Sequence, residues 1–423
     1  MTTAPLAATL LVAALALQER GRSNAGGAES LVEARRGFET ALVDLRSVDA
    51  PLIEPPANLF SLVEVDAPLG KNLAYLSRIE PGEERLPAVV WVTGGWPTAR
   101  GGSYVWRPGP FENDQSASAF RDAGVVMLFP TVRGTGPNLG FQELFFGEVD
   151  DVIAAGEFLR RHERIDPERI YLGGHSTGGT LVLLVACATD LFRGVFSFGP
   201  AADMAGYGAR DWPFDAEDPE ELRLRSPLPF LGAVSTPTYV FEGTGGNIED
   251  LERIRERVDN PLVRTLALPR ADHFTPLGPI NRVLADRVME HREGRFDLDL
   301  DRVAAAYVDG WHALREARDM AAIAELRGAG APWGERHVLT FTLLGASPVT
   351  LRAAAEPLQA RGFSIGPVLE ERDEDGDVVL RRTAARTLPF EVDAILAASR
   401  SVAEAAADAQ VVDEGWTAAR APR

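Results

Sequence analysis

Ile170-Tyr171-Leu172-Gly173-Gly174-His175-Ser176-Thr177-Gly178-Gly179 is the stretch from which the rest of the chain is read. An apolar run ends in paired glycines, a serine follows, and a second glycine pair opens another apolar run. Gly174 to Gly178 fits the pattern G-x-S-x-G, and the spacing predicts a strand over 169–173 turning sharply into a helix over 177–188. Such a turn strains the serine backbone, and flanking glycines relieve the crowding. The serine then lies at a helix N-terminus, whose free N–H groups favour a developing negative charge. The implied chemistry is nucleophilic, with the Ser176 hydroxyl attacking and the Thr177 backbone N–H donating to an oxyanion. The bland alternative is a tight Gly-rich turn with no catalytic role. The strand before it and the helix after it favour the nucleophile.

Working outward, short β-branched or aromatic runs alternate with helical patterns. Strands are expected at 59–65, 73–79, 88–92, 124–129, 169–173, 194–198, 238–242 and 263–268. The first two pair through the turn Pro68-Leu69-Gly70, and the continuous apolar runs at 88–92 and 124–129 suit strands buried on both faces. Helices are expected at 148–161, 177–188, 249–257 and 277–292, and 31–45 reads as an amphipathic helix ended by Pro51, Pro55 and Pro56. This alternation is the mark of a mostly parallel, doubly wound α/β sheet. The roughly thirty-five residues between Pro200 and Ser235, with Trp212, Pro213 and Phe214, are expected to form a short lid.

Beyond Phe296 the pattern changes. An Ala-rich helix over 304–326 leads into a hinge, Gly328-Ala329-Gly330-Ala331-Pro332. Strand 337–344, helix 348–359, strands 363–370 and 378–383, and helix 389–407 follow, the middle strands joined through Asp373-Glu374-Asp375-Gly376-Asp377. The βαββα order implies a small α+β, ferredoxin-like domain. The expected organisation is an apolar, flexible segment (1–28), a main domain (29–295), a helical linker (296–334) and the small domain (335–423).

Composition narrows the function. The 423 residues carry 43 Lys plus Arg against 62 Asp plus Glu, a net charge of −19, which disfavours nucleic-acid binding. The one cysteine, Cys187, excludes a disulfide framework and a Cys-rich zinc site. Lys71 is the only lysine, so no P-loop exists, and Schiff-base chemistry would fall to a turn residue. The apolar run 6–17 is too short for a membrane span, which needs about 20 residues, and no Lys or Arg precedes it. The chain therefore reads as cytoplasmic without stable membrane insertion, export being the alternative if 1–17 acts as a signal peptide.

No cofactor is indicated, because no G-x-G-x-x-G follows a strand. No metal is indicated either: Asp297-Leu298-Asp299-Leu300-Asp301 mimics a calcium loop, but Arg302 fills its obligatory glycine position.

The remaining site residues are sought in the order serine, acid, histidine. Among the six histidines, His273 in Ala271-Asp272-His273-Phe274 follows the last strand and precedes the last helix of the sheet domain, where the general base belongs. His175 is set aside because its ring points away from the serine, and His162, His291, His312 and His337 by their positions. The acid stays open: Glu242 ends its strand, Asn247 stands where an acid is normally found, and Asp250 ranks third. An Asn there orients an imidazole but brings no charge. The second oxyanion donor is expected from Thr93-Gly94-Gly95-Trp96, at Gly95 or Trp96.

Thr93-Gly94-Gly95-Trp96, Pro130-Thr131-Val132-Arg133-Gly134-Thr135-Gly136, Asp150-Asp151, the Ser176 turn and Asp272-His273-Phe274 resemble the α/β-hydrolases, in particular their prolyl-oligopeptidase and dipeptidyl-peptidase branch. The resemblance spans about 59–292 and implies an α/β-hydrolase fold, Ser176 as nucleophile and His273 as base. Thr93 stands where that branch often has Tyr or His, and the residues ahead of the hydrolase are too few for the branch's gating propeller. An ungated esterase or peptidase acting on a small ester or short peptide is the expectation. Phe341 to Ala346, 358–363 and Asp413-Glu414-Gly415-Trp416 resemble the regulator of ribonuclease E activity, type B, with Asp413-Glu414 departing from that family's ending. The open choice of acid motivates the alternative of a catalytically weak hydrolase fold that binds a protein partner through 335–423.

Overall fold

The computed structural model describes residues 28–421 except 96–98, 110–112, 209–211, 373–377 and positions 100, 270, 333, 346 and 410. The chain divides into two compact units, Met1–Ala306 and Tyr307–Arg423.

The strands of the first unit are β1 (Phe60–Ala67), β2 (Gly70–Ser77), β3 (Leu86–Val92), β4 (Val126–Pro130), β5 (Ile165–His175), β6 (Val195–Phe198), β7 (Thr238–Gly243) and β8 (Val263–Leu268). They form one sheet in the order β1-β2-β4-β3-β5-β6-β7-β8. β1 and β2 pair antiparallel, as do β2 and β4, and every later pairing is parallel. Parallel neighbours cannot be joined by tight turns, so helices carry the crossovers. In chain order they are α1 (Leu31–Ala34), α2 (Ser118–Asp122), α3 (Glu148–Arg161), α4 (Thr177–Ala188), α5 (Pro219–Leu224), α6 (Ile248–Arg257) and α7 (Leu277–Glu290). β4 is buried along its whole length, as its continuous apolar run requires. Every residue of α4 from Thr177 to Cys187 is buried, so this helix is apolar all round and central to the core. Each of its buried Leu and Val side chains contributes about 1.5–3 kcal/mol.

The loop after β4 is fixed by charge. The Arg133 guanidinium binds Asp151 on α3 through Nε at 3.0 Å and Glu143 through Nη1 at 2.6 Å, in a largely buried cluster.

Two expectations are corrected in this unit. The helix expected over 31–45 stops at Ala34, and Gly37 lies in the left-handed region at φ 79°. The chain beyond is captured by tertiary partners: Arg35 donates to the carbonyls of Phe145, Phe146 and Leu224, and Glu221 accepts from Thr40 and the Ala41 backbone. The expected lid is a packed insertion rather than a loose cover. Met204, Trp212, Phe214, Leu222, Leu224 and Phe230 belong to the main core, and Arg225 lies 4.0 Å over the Phe214 ring.

The second unit holds the greater part of α8 (Leu300–Gly328), then β9 (Arg336–Gly345), α9 (Pro348–Ala360), β10 (Ser364–Arg372), β11 (Val378–Pro389), α10 (Val392–Asp408) and β12 (Val412–Arg420). Its sheet has the order β10-β11-β9-β12 with all neighbours antiparallel. β12 was not anticipated, and it turns the expected βαββα into βαββαβ. Alternate residues Leu339, Phe341 and Leu343 of β9 face a core with Leu351 and Leu358 of α9 and Val402 of α10. The Asp413–Trp416 stretch anchors β12 to α8: Asp413 pairs with Arg315, and Trp416 Nε1 donates to Asp319 at 2.8 Å. The calcium-like Asp299 accepts from the backbone of Asp301 and Arg302 at the start of α8, an ordinary helix-capping role. The Asp373–Asp377 hairpin tip and segment 1–27 lie outside the described residues. Among the described residues no helix is long and apolar enough to cross a membrane.

Candidate active site

β5 ends at His175 and α4 begins at Thr177, which leaves Ser176 alone at the junction with φ 58° and ψ −121°. A non-glycine residue held there stores about 1–3 kcal/mol of backbone strain. Its neighbours over-determine the turn. A Cβ on Gly94 would lie 2.6 Å from the His175 carbonyl oxygen and 2.9 Å from Ser176 Cβ, and one on Gly178 would lie 2.2 Å from the Val92 carbonyl oxygen. The end of β3 is therefore pressed against the turn with glycine as the only residue that fits. The Ser176 N–H donates to the Phe198 carbonyl at 2.8 Å, tying the junction to the end of β6.

His273 lies in the loop between β8 and α7. Asp272 shapes that loop, its Oδ1 accepting from the backbone N–H of Phe274 and Thr275, each at 2.8 Å. The His273 ring rests on Gly199, where a Cβ would come within 2.4 Å of Cε1. Gly199 directly follows Phe198, so Ser176 and His273 converge on the same end of β6. His273 Nδ1 is 3.1 Å from Glu242 Oε2. Glu242 is 1% exposed, and its carboxylate accepts the backbone N–H of Gly243 at 2.6 Å and of Asn247 at 2.9 Å. The Gly243 and Asn247 N–H groups and the His273 ring thus converge on one buried carboxylate.

The other two acid candidates face elsewhere. Asn247 Nδ2 donates to the Gly199 carbonyl at 3.2 Å, and Asp250 is held by Arg253 at 3.0 Å, an arginine that also pairs with Asp203. On the oxyanion side, Thr177 is the first residue of α4, where a backbone N–H has no intrahelical acceptor. Its Oγ1 donates to the Gly95 carbonyl at 2.9 Å, and Gly95 has φ 99°. Trp96 lies outside the described residues.

Sequence reasoning missed two partners. The His175 ring packs 4.6 Å from the His273 ring and 5.3 Å from that of Phe274. Burial and the adjacent His273 push its pKa down to about 3, so the ring is neutral. A carbonyl oxygen only accepts, so a hydrogen bond to the His273 carbonyl, 3.0 Å from Nε2, uses the tautomer with its proton on Nε2. Nδ1 lies 3.1 Å from Gln115 Oε1, while the Gln115 amide N–H donates to Asn113 Oδ1 at 2.7 Å. The ring lies against the loop that carries His273. The signal was the His inside G-x-S-x-G; Gln115 left none. His162 and His291 are engaged elsewhere, with the Arg164 backbone and the Tyr171 hydroxyl.

Comparison with known proteins bears on this geometry. Residues 111–244 match the prolyl oligopeptidase family, a span that includes Ser176 and Glu242 and ends short of His273. Over 184 residues the chain is 28% identical to the uncharacterized peptidase YuxL of Bacillus subtilis (strain 168), covering 38% of this chain and 26% of that protein. The match thus spans about a quarter of the relative's length. Among solved structures, a puromycin hydrolase aligns with TM-score 0.45 and 18% identity over 57% of this chain and 40% of its own. The acylaminoacyl peptidase of Pyrococcus horikoshii aligns with TM-score 0.43 and 17% identity over 58% and 44%. A 2,6-dihydroxy-pseudo-oxynicotine hydrolase aligns with TM-score 0.45 and 17% identity over 58% and 72%. Residues 111–244, which carry Ser176 in a mostly parallel eight-stranded sheet, are thus similar to the prolyl oligopeptidase family.

Proposed function

We propose that the protein is a serine hydrolase that cleaves an amide or ester bond through an acyl-enzyme on Ser176. The observation that carries this reading is the buried Glu242 carboxylate 3.1 Å from His273 Nδ1, on a ring seated at the strand end that also holds Ser176.

In this reading Ser176 Oγ attacks the substrate carbonyl carbon while its proton passes to His273 Nε2. The carbonyl oxygen becomes an oxyanion, held by the Thr177 N–H and a donor from the Gly95–Trp96 segment. The bond to the leaving amine or alcohol then breaks as His273 returns the proton to it. Water repeats the sequence on the acyl-enzyme, releasing the acid and restoring Ser176. Glu242 fixes the tautomer with Nδ1–H and balances the imidazolium.

The family match across Ser176 and Glu242 supports a peptide or other amide substrate over a simple ester. The alternative, a weak hydrolase fold serving as a binding protein, drew on the doubtful acid, and the seat of Glu242 weighs against it. We read the second unit as a ferredoxin-like module on its βαββαβ order. The test is a panel of acyl esters and aminoacyl amides run on wild type and Ser176→Ala together. Turnover of amides by wild type and none by Ser176→Ala is expected. Equal rates for the two proteins would overturn the reading.

A further inference from the structure

Resting on the reading above, we propose that His175 is a positioning residue for the general base, holding the His273 main chain so that its ring stays between Glu242 and Ser176. The loop that carries His273 is anchored chiefly to itself: Asp272 and Thr275 bond each other and the intervening backbone, and Asp272 and Phe274 are exposed. The start of the loop is tied to the end of β7, where the Gly245 N–H donates to the Ala271 carbonyl at 2.9 Å. Two further contacts locate His273 itself. Glu242 holds the ring through Nδ1, and His175 holds the main chain through Nε2–H to the His273 carbonyl at 3.0 Å.

His175 suits this task. It is 1% exposed, lies at the end of β5 adjacent to the nucleophile, and has Gln115 Oε1 3.1 Å from Nδ1 on its far side. Gln115 is itself tied down, its carbonyl accepting from Trp91 Nε1 on β3 at 3.2 Å. The base is thereby referenced to the same strand end as the serine, and a shift in one is shared by the other. An ångström of misplacement between reacting groups costs on the order of 10²-fold in rate.

The experiment compares His175→Phe, which keeps the ring and removes the donor, with His175→Gln, whose amide N–H reaches the same carbonyl. It reads kcat and KM for a hydrolysed acyl substrate, and the low-field proton NMR resonance of the His273–Glu242 hydrogen bond. His175→Phe is expected to lower kcat about 10²-fold with KM nearly unchanged and to lose the resonance, and His175→Gln to recover most of both. Wild-type kcat and resonance in His175→Phe, or no recovery in His175→Gln, would overturn the proposal. If His175→Phe does not fold, Gln115→Leu decides: a lower kcat and weakened resonance support the role, and no change in either contradicts it. Should wild type turn nothing over, hydrolysis fails as a reading while the resonance still tests the positioning contact.

Discussion

Asn247 donates its backbone N–H to Glu242 Oε2 at 2.9 Å, the same oxygen that lies 3.1 Å from His273 Nδ1. The two candidates for one role are therefore in contact, and in the proposed mechanism Glu242 supplies the charge while the Asn247 main chain helps to hold it. Because the contact uses the Asn247 main chain, its side chain is replaceable. Asn247→Ala forfeits one hydrogen bond to Gly199 and should cost at most about tenfold in kcat. Glu242→Gln should cost on the order of 10⁴, since an amide cannot balance the imidazolium. Steady-state kinetics on the two variants checks the assignment.

Gly199→Ala offers a sharper steric test. The added methyl would meet His273 Cε1 at 2.4 Å and Nδ1 at 2.6 Å, and the backbone there has φ 57°. The left-handed conformation alone costs about 1–2 kcal/mol. The displaced ring should lower kcat by about 10²-fold while the protein stays folded. Denaturant unfolding and kinetics on the same preparation separate the two effects.

His175 also makes stability depend on pH. Its folded-state pKa is about 3 against an ordinary 6.5, so below 6.5 the unfolded chain takes up a proton that the folded chain refuses. The contribution is fully present above pH 6.5 and is lost as pH falls toward 3, with a slope of about 1.4 kcal/mol per pH unit. The charged or titratable groups acting on the ring are His273 and Asp272. Urea unfolding from pH 7 to pH 4 should show a shallower fall in His175→Phe than in wild type.

Arg133 carries a structural load rather than a chemical one. Removing it leaves Asp151 and Glu143 as buried, unpaired carboxylates. Arg133→Met should lower stability by roughly 3–5 kcal/mol, measured as a drop in the urea midpoint.

How much of this was legible in the sequence varies with how local the cause is. α3, α4 and β8 end where periodicity places them, and the positions of Ser176 and His273 follow from strand and helix order alone. Which residue faces the His273 ring does not, because Glu242, Asn247 and Asp250 lie within nine residues, and only the turn after β7 decides it. The 31–45 segment has helical spacing, yet Glu221 and the Phe145, Phe146 and Leu224 carbonyls, all remote in sequence, draw it off the helix. β12 escaped notice because Gly415, Ala418 and Ala419 dilute its β-branched content, and its strand character comes from pairing with β9.

The central claim is that the Ser176 hydroxyl is activated by His273. The most direct measurement is covalent labelling by a fluorophosphonate, with the modified residue located by peptide mass spectrometry and the rate compared in wild type, Ser176→Ala and His273→Ala. Rapid modification of Ser176 in wild type, none in Ser176→Ala and slow modification in His273→Ala is the expected result. Folded wild-type protein that resists the probe, or that reacts at Ser176 equally fast without His273, would contradict the claim.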